Sequence, residues 1–369
     1  MRKLIFSACM MLAAYTSFPQ ISLTQLPSGG NKKAIVGEQV GLTTITISYS
    51  RPGVKHREGH IWGQLIHKGF IDQGFGSSKS SPWRAGANEN TTIEFSNDVT
   101  IEGQTLKAGK YGFFIAYDSL QSTVIFSKNS NAWGSYFYQP EEDALRVKVA
   151  PVKTSVTAEW LKYEFMNQTE SSATIALVWE NLMIPFKVET DYAKQQVASF
   201  EKELQGSRGF YWVAWDEAAQ WALQRNTNLE RALYWSETAT GPNFGGRDLF
   251  QPNATRAQIL EKLNRGEEAR AVMNRVLPTA TMQELHQYGR NLLAQNKAQE
   301  ALEVFQLNFK KNPKEFTAMM GLTRGYSAAK DFKNAVKYAN MALAVAPNEA
   351  NKKFLEQGIE KLKKGENIN

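Results

Sequence analysis

The sequence predicts an α+β chain of two domains, an antiparallel β-sandwich followed by an all-α helical repeat. Between about Val36 and Val188 the apolar residues recur every second position, and beyond Asp191 they recur with helical spacing. In the second half, residues of one kind return 34 positions apart, as Ala301 and Ala335 do, which is the period of a repeated helical hairpin. Length agrees, because 369 residues exceed the roughly 100–200 of one domain. A hydrophobic share of 42% and an aromatic share of 11% can fill two cores. The expected division is a leader over 1–19, a sandwich over 20–190 and a helical array over 191–369.

Arg2-Lys3 is a short positive start, Leu4 to Ala14 is apolar, and Tyr15 to Gln20 is more polar. This is the pattern of a secretory signal peptide, too short to span a bilayer. Cleavage is expected just before Gln20, with Ala13 or Ala14 as weaker exits. The single cysteine, Cys9, lies inside the apolar run. The apolar run before it is short for a lipid-attachment site and continues past it, so the cysteine should leave with the leader. The mature chain then has no disulfide, thiolate nucleophile or sulfur ligand. No later apolar run is long enough for a transmembrane helix, so the product is expected outside the cytoplasm, periplasmic or extracellular. The net charge of +7 is scattered, with no basic cluster beyond Lys361, Lys363 and Lys364. That excludes the concentrated basic stripe of a nucleic-acid binder.

In chain order, Thr44 to Tyr49 alternates and stops at the turn Arg51-Pro52-Gly53. A long Gly- and Ser-rich connection runs from Pro52 to Pro82 and leads into Trp83-Arg84-Ala85-Gly86-Ala87-Asn88-Glu89-Asn90, a dense polar cluster that opens the strand around Ile93 and Phe95. Val99 to Ile101 follows, with a hairpin turn at Glu102-Gly103-Gln104. Tyr111 to Tyr117, Thr123 to Phe126, Leu145 to Val149, Leu161 to Phe165 and Ile175 to Trp179 complete the strands. Several short strands with such turns argue for a sandwich.

Several stretches in this half resemble the bacterial domain-of-unknown-function family 2911. They are Tyr49 to Pro52, Ile61-Trp62-Gly63, Trp83 to Asn88, Ala108 to Gly112, Asn131 to Gly134, Ala144 to Val147 and Val178-Trp179-Glu180. The resemblance covers roughly Leu26 to Val188. It implies an exported bacterial protein and supplies no activity. The insert from His67 to Pro82 resembles only some members.

Thr190 to Gln205 reads as a helix, and an aromatic helix follows from Phe210 through Trp221. Pro313 and Pro347, and Arg290 and Arg324, share the 34-residue spacing of Ala301 and Ala335. This resembles the tetratricopeptide pattern, with weaker units around Ala232 and Ala269 and a closing helix near Asn351 to Lys364.

Three constellations are candidates for chemistry. Trp83, Arg84, Asn88 and Asn90, with Trp62 or Trp133 as stacking walls, suit a small ligand, Arg84 gripping an anion and the amides hydrogen bonding. The same residues suit a buried tryptophan beside a tight turn closed by amides. His56, His60 and His67, near Glu58 and Asp72, have the composition of a metal site. Their spacing is not the helical metalloprotease motif, because Gly59 interrupts any helix. In the repeats, the resemblance implies that His286, Arg290, Met320 and Arg324 face a partner groove, where two arginines suit an acidic peptide or a terminal carboxylate. The Lys and Asn residues of the familiar carboxylate clamp are absent. No phosphate loop, dinucleotide loop or nucleophile elbow is present.

The expectation is an exported binding protein with no cofactor. The repeats would dock a protein or peptide, and the sandwich a partner or small ligand. The alternative is a metal-assisted hydrolase using the histidine loop. Export gives the first test. Protein recovered outside the cytoplasm should begin at Gln20 by intact mass, and recovery only with Met1 to Pro19 attached would contradict it.

Overall fold

The structure, a computed structural model, describes residues 30–369, and the leader expected over 1–19 lies outside them. The described chain separates into two compact units, one through Gln195 and one from Gln196 to Asn369. Among the described residues no helix is long and apolar enough to cross a membrane.

Ten strands build the first unit: β1 (Lys32–Val40), β2 (Thr43–Arg51), β3 (Thr92–Phe95), β4 (Val99–Ile101), β5 (Gln104–Leu106), β6 (Gly109–Ala116), β7 (Ser122–Ser127), β8 (Asp143–Val149), β9 (Val152–Met166) and β10 (Ser172–Glu189). They form a six-stranded sheet, β1-β2-β3-β6-β7-β8, and a four-stranded sheet, β5-β4-β10-β9. All named pairs are antiparallel. The apolar faces meet across the sandwich, where Phe113 lies 5.6 Å from Phe186 and 5.9 Å from Tyr163, ring to ring. The β4–β5 hairpin turns through Glu102 and Gly103 at φ 46° and 79°. Two positive-φ residues match the twist of the flanking strands.

Two strands outrun the short ones expected, β9 with 15 residues and β10 with 18. The register of β10 against β9 shifts on both sides of Glu180, a residue in left-handed conformation at φ 54°. The bulge interrupts the alternation, so the periodicity ends near Trp179 although the strand continues. Strand β1 shows no clean alternation because its side chains lie mostly toward solvent.

The connection from Pro52 to Thr91 is tied down by isolated bridges rather than strands: Gly53 with Trp160, Lys68 with Tyr117, Ile71 with Ser81, and Trp83 with Ile115. A second small core, Phe114, Ala116, Ile125 and Tyr138, lies apart from the main one. The Tyr138 hydroxyl donates to Asp143 at 2.6 Å, and Arg146 donates to the same carboxylate.

The second half holds α1 (Tyr192–Leu204), α2 (Trp212–Gln224), α3 (Leu229–Ala239), α4 (Phe250–Lys262), α5 (Gly266–Val276), α6 (Met282–Ala294), α7 (Ala298–Lys311), α8 (Phe316–Ala328), α9 (Phe332–Ala344) and α10 (Glu349–Lys363). Four hairpins, α2/α3, α4/α5, α6/α7 and α8/α9, repeat one turn. The first helix of each ends in a left-handed residue: Asn226, Asn264, Asn296 and Lys330, at φ 51°, 61°, 61° and 62°. The amide after it reaches back to a carbonyl five residues earlier, as Arg265 does to Leu260, Lys297 to Leu292 and Asp331 to Tyr326. This closure satisfies carbonyls that a helix end leaves open, and asparagine tolerates the conformation better than most residues. The third and fourth hairpins stand 34 residues apart, the period read from the sequence.

Packing between hairpins is uneven. Helices α6 and α8 pack directly, as do α2 and α4, whereas contact of α4 and α5 with α6 is sparse. The tight junction centres on Phe305 of α7, which is fully buried. A β-carbon at Gly289 of α6, or at Gly321 or Gly325 of α8, would fall within 3.0 Å of its ring. The ring thus seats against the backbone of two helices. Gly289→Ala should therefore destabilise the helical unit by about 1–3 kcal/mol despite alanine's better helix propensity. Denaturant unfolding followed by helical circular dichroism reads this, and an unchanged or higher stability would contradict it.

Candidate functional site

The polar cluster that opens β3 is a closed turn. Trp83 is buried, its indole donating to the Gly86 carbonyl at 3.1 Å, and its ring stacks 6.2 Å from Trp179 with Trp62 edge-on at 5.6 Å. The Ala85 carbonyl accepts from the hydroxyls of Tyr163 at 2.7 Å and Thr91 at 3.2 Å. Arg84 donates to the Asn88 carbonyl at 2.6 Å, and its guanidinium lies 5.1 Å from the Tyr136 ring centroid. Asn90 turns to the Asn129 carbonyl at 3.4 Å. Trp133 is half exposed, on the loop whose Gly134 lies against the Arg84 guanidinium. The structure thus brings Trp62 to Trp83 and Arg84 to Asn88, and uses these groups inside the turn. Beneath them Glu180 is buried and accepts from the Gly59 amide at 2.5 Å, while the indole nitrogens of Trp62 and Trp179 are buried without a hydrogen-bond partner.

The loop histidines have separate surroundings. His56 is exposed at φ 59°, and His60 is exposed with Nδ1 3.0 Å from Gln64 Oε1. His67 is half-buried, and burial lowers its pKa against the opposing effect of the backbone at Lys68 and Gly69. Asp72 pairs with Lys79 at 3.0 Å. Among the described residues no three His, Cys, Asp or Glu side chains are grouped to hold a metal ion.

A further candidate lies in the helical unit. A groove of about 670 Å³ runs over the first helices of three hairpins, α2, α4 and α6. Amides dominate its lining: Gln220 and Gln224 of α2, Gln251 and Gln258 of α4, Gln287 and Asn291 of α6. Asp216, only 1% exposed, anchors two of them. Its Oδ2 accepts from Gln220 Nε2 at 2.7 Å and from Gln251 Nε2 at 3.1 Å, while Oδ1 has no partner. Burial raises the Asp216 pKa, and the bonds from Thr255, Gln220 and Gln251 oppose the rise. Because their nitrogens are engaged, both glutamines keep their carbonyl oxygens as free acceptors, the complement of a peptide N–H. The groove sits where α4 and α6 pack sparsely, and Tyr288 lines both it and a smaller pocket of about 360 Å³. Sequence reasoning missed this amide set. The available signal was Asp216 four residues before Gln220, an acidic group inside an aromatic, alanine-rich helix.

Of the four repeat residues expected in a partner groove, the two arginines, Arg290 of α6 and Arg324 of α8, line one pocket of about 440 Å³. Arg324 is half-buried over the Phe354 ring, 5.4 Å from its centroid. Burial and the Arg290 charge lower its pKa. His286 lies 5.8 Å from the Phe305 ring, with Nδ1 buried and unpartnered. Burial, then the charges of Arg290 and Arg324, push its pKa down to about 4. Met320 is buried, and packs with Ala335 and Leu355 rather than into a groove.

Comparison with known proteins finds a family model for the first half of the chain. Residues 31–188 match the model of the family described as "Protein of unknown function (DUF2911)", the resemblance read from the motifs. No curated protein matches the chain. Among solved structures, the chain resembles a Podosopora anserina protein described as a kinesin light chain with nearly identical TPR-like repeats, at 15% identity and TM-score 0.31, covering 41% of this chain and 85% of that one. It also resembles MamA, from residue 41 onward, of Desulfovibrio magneticus RS-1, at 16% identity and TM-score 0.28, covering 42% of this chain and 93% of that one.

The half-buried imidazole of His286 makes stability depend on pH. With a folded pKa of about 4 against an ordinary 6.5, His286 stays neutral in the fold while the unfolded chain takes up a proton. Stability is therefore full above 6.5 and lost as pH falls toward about 4. Between pH 7 and pH 5 the helical unit should lose about 1–2 kcal/mol through this group. Denaturant unfolding of the native chain and of His286→Gln checks it, and an equal loss in the variant would contradict it.

Proposed function

We propose that the chain is an exported docking protein whose helical half holds an extended segment of a protein partner along the first helices of its hairpins. One observation carries the reading, the row of side-chain amides on α2, α4 and α6 with two glutamines held by the buried carboxylate of Asp216. Amides of fixed orientation match the alternating donors and acceptors of an extended backbone, and their prior immobilisation lowers the entropic cost of binding. Phe250 and Tyr288, 6.1 Å apart in an edge-to-face pair, give the same groove an apolar floor. Repeats of this kind present extended surfaces to partners.

In the sandwich, Trp62, Trp83 and Arg84 are engaged within the fold, so the docking role is assigned to the repeats. The hydrolase alternative at His56, His60 and His67 draws no support from the described residues, where the three do not form a metal-ligand group.

Selection of a displayed peptide library on the full-length chain tests the reading. Enriched peptides should bind the native chain, and the combined variant Gln220→Ala, Gln251→Ala and Gln287→Ala should weaken them at least about tenfold. Failure to enrich any peptide, or equal binding to the variant, would remove the groove from consideration.

A further inference from the structure

We propose that the pocket between α5, α6 and α7 is a docking site for a tyrosine side chain of a protein partner, presented beside a lysine or arginine. The site is separate from the amide groove, although Tyr288 borders both.

The pocket measures about 360 Å³, within the roughly 300–1,000 Å³ of cavities that hold small ligands. Buried Met273, Leu292 and Val304 and half-buried Leu277 form its floor, while the exposed Asn274 and Glu303 stand at its edge. What belongs in this space is shown by the next junction of the same array. Helices α4 and α5 start 32 residues before α6 and α7, which start 34 before α8 and α9. Each residue of the pocket therefore has a counterpart where α7 meets α8 and α9. The counterparts of Met273, Leu277, Leu292 and Val304 are Phe305, Phe309, Tyr326 and Tyr338. Those rings fill their junction. Tyr326 stacks on Tyr338 at 5.5 Å, and Phe309 meets Tyr338 edge-on at 5.3 Å. At the earlier junction four aliphatic side chains stand in their place, and Tyr288, at the position of Leu322, returns only one ring. Where the rings are present α7 packs directly on α8, and where they are missing α5 hardly touches α6. The gap is one that aromatic volume closes elsewhere in the same chain.

Two polar positions select the ring and its neighbour. Gln306 donates to the Tyr326 hydroxyl at 3.3 Å, and its counterpart at the pocket is Asn274. An amide there can meet a phenol hydroxyl, which phenylalanine lacks. Lys337 places its ammonium 5.3 Å from the Tyr338 ring centroid, whereas its counterpart at the pocket is Glu303. Glu303 has no ion-pair partner among the described residues, and Glu300 beside it reaches Arg270 only at 3.7 Å. A ring that enters here gains by bringing its own cation. That favours a tyrosine flanked by lysine or arginine on a protein, and tyrosine anchors seated in such pockets carry much of an interface's binding energy.

The full-length chain is titrated with acetyl-Lys-Tyr-Lys-amide while the methyl resonances of Met273, Leu292 and Val304 are followed by NMR. Saturable shifts are expected, with binding at least about tenfold tighter than that of the Lys-Leu-Lys or Glu-Tyr-Glu peptide. Lys-Phe-Lys should bind more weakly than Lys-Tyr-Lys, and Asn274→Ala should remove that difference. Val304→Tyr restores the ring of the fourth hairpin and should weaken binding at least about tenfold while helical circular dichroism is kept. Glu303→Lys, at an exposed position, should abolish the preference for lysine flanks, so the test holds even if Val304→Tyr fails to fold. The triple glutamine variant should bind the peptide as the native chain does, because none of its three positions lines this pocket.

No saturable shift, or equal binding of Lys-Leu-Lys, would overturn the site. Equal binding of Lys-Phe-Lys would overturn tyrosine as its occupant. Shifts that appear on raising the protein concentration alone, and vanish in Glu303→Lys, would give the pocket to a second copy of the chain and overturn a separate partner. Loss of peptide binding in the triple glutamine variant would overturn the separation of pocket and groove. Failure of the library selection alone would remove the groove and leave this site standing.

Discussion

Both halves of the chain depend on reversing direction through left-handed backbone, a conformation that costs most residues energy and that surrounding bonds must hold. In the sandwich, Glu102 and Gly103 close one hairpin, and Ala85 and Asn88 shape the turn that carries Trp83 into the core. In the helical half, Asn226, Asn264, Asn296 and Lys330 stop one helix and aim the next. Each of the four hairpins therefore turns through a residue of nearly the same φ. That regularity lines the first helices up so that side chains one repeat apart share a surface.

The docking proposal rests on what that surface leaves unsatisfied. Asp216 is a carboxyl group with one oxygen unpartnered, and its pKa is raised by burial; its other oxygen fixes the side chains of Gln220 and Gln251. Arg290 and Arg324 share one pocket, where burial and the Arg290 charge lower the Arg324 pKa. Such features lower the stability of the free fold and are tolerated where a ligand completes them. The sandwich shows the opposite economy around Trp83. The Ala85 carbonyl takes two hydroxyls, and Arg84 is held by the Asn88 carbonyl and the Tyr136 ring.

The sequence made the two-part architecture legible because both halves obey strong periods, two for strands and 34 between the third and fourth hairpins. It was least informative where tertiary contacts override the local pattern. The bulge at Glu180 hides the second half of β10, and Gly37 with its polar neighbours hides β1. Arg290 and Arg324 were readable as a pair because repeat spacing projects directly onto space. The arrangement of Asp216, Gln220 and Gln251 was not, since Gln251 comes from a different helix, 35 residues from Asp216. The asparagines at 226, 264 and 296 were a further sign of the hairpins, legible only once their turn is known to need them. At Trp83 the composition suited either a ligand or a sealed turn, the turn more readily, and burial was the quantity missing.

One ring has a consequence for how the molecule comes apart. In most stacked repeats each interface is spread over many modest contacts, so units can fray from either end. Here Phe305 lies against the backbone of both α6 and α8, and opening either helix exposes the same fully buried ring. The third and fourth hairpins are thereby bound into one cooperative block, while the sparse junction ahead of α6 is the natural seam. Hydrogen exchange would slow together across α6, α7 and α8, and change abruptly on crossing back into α5.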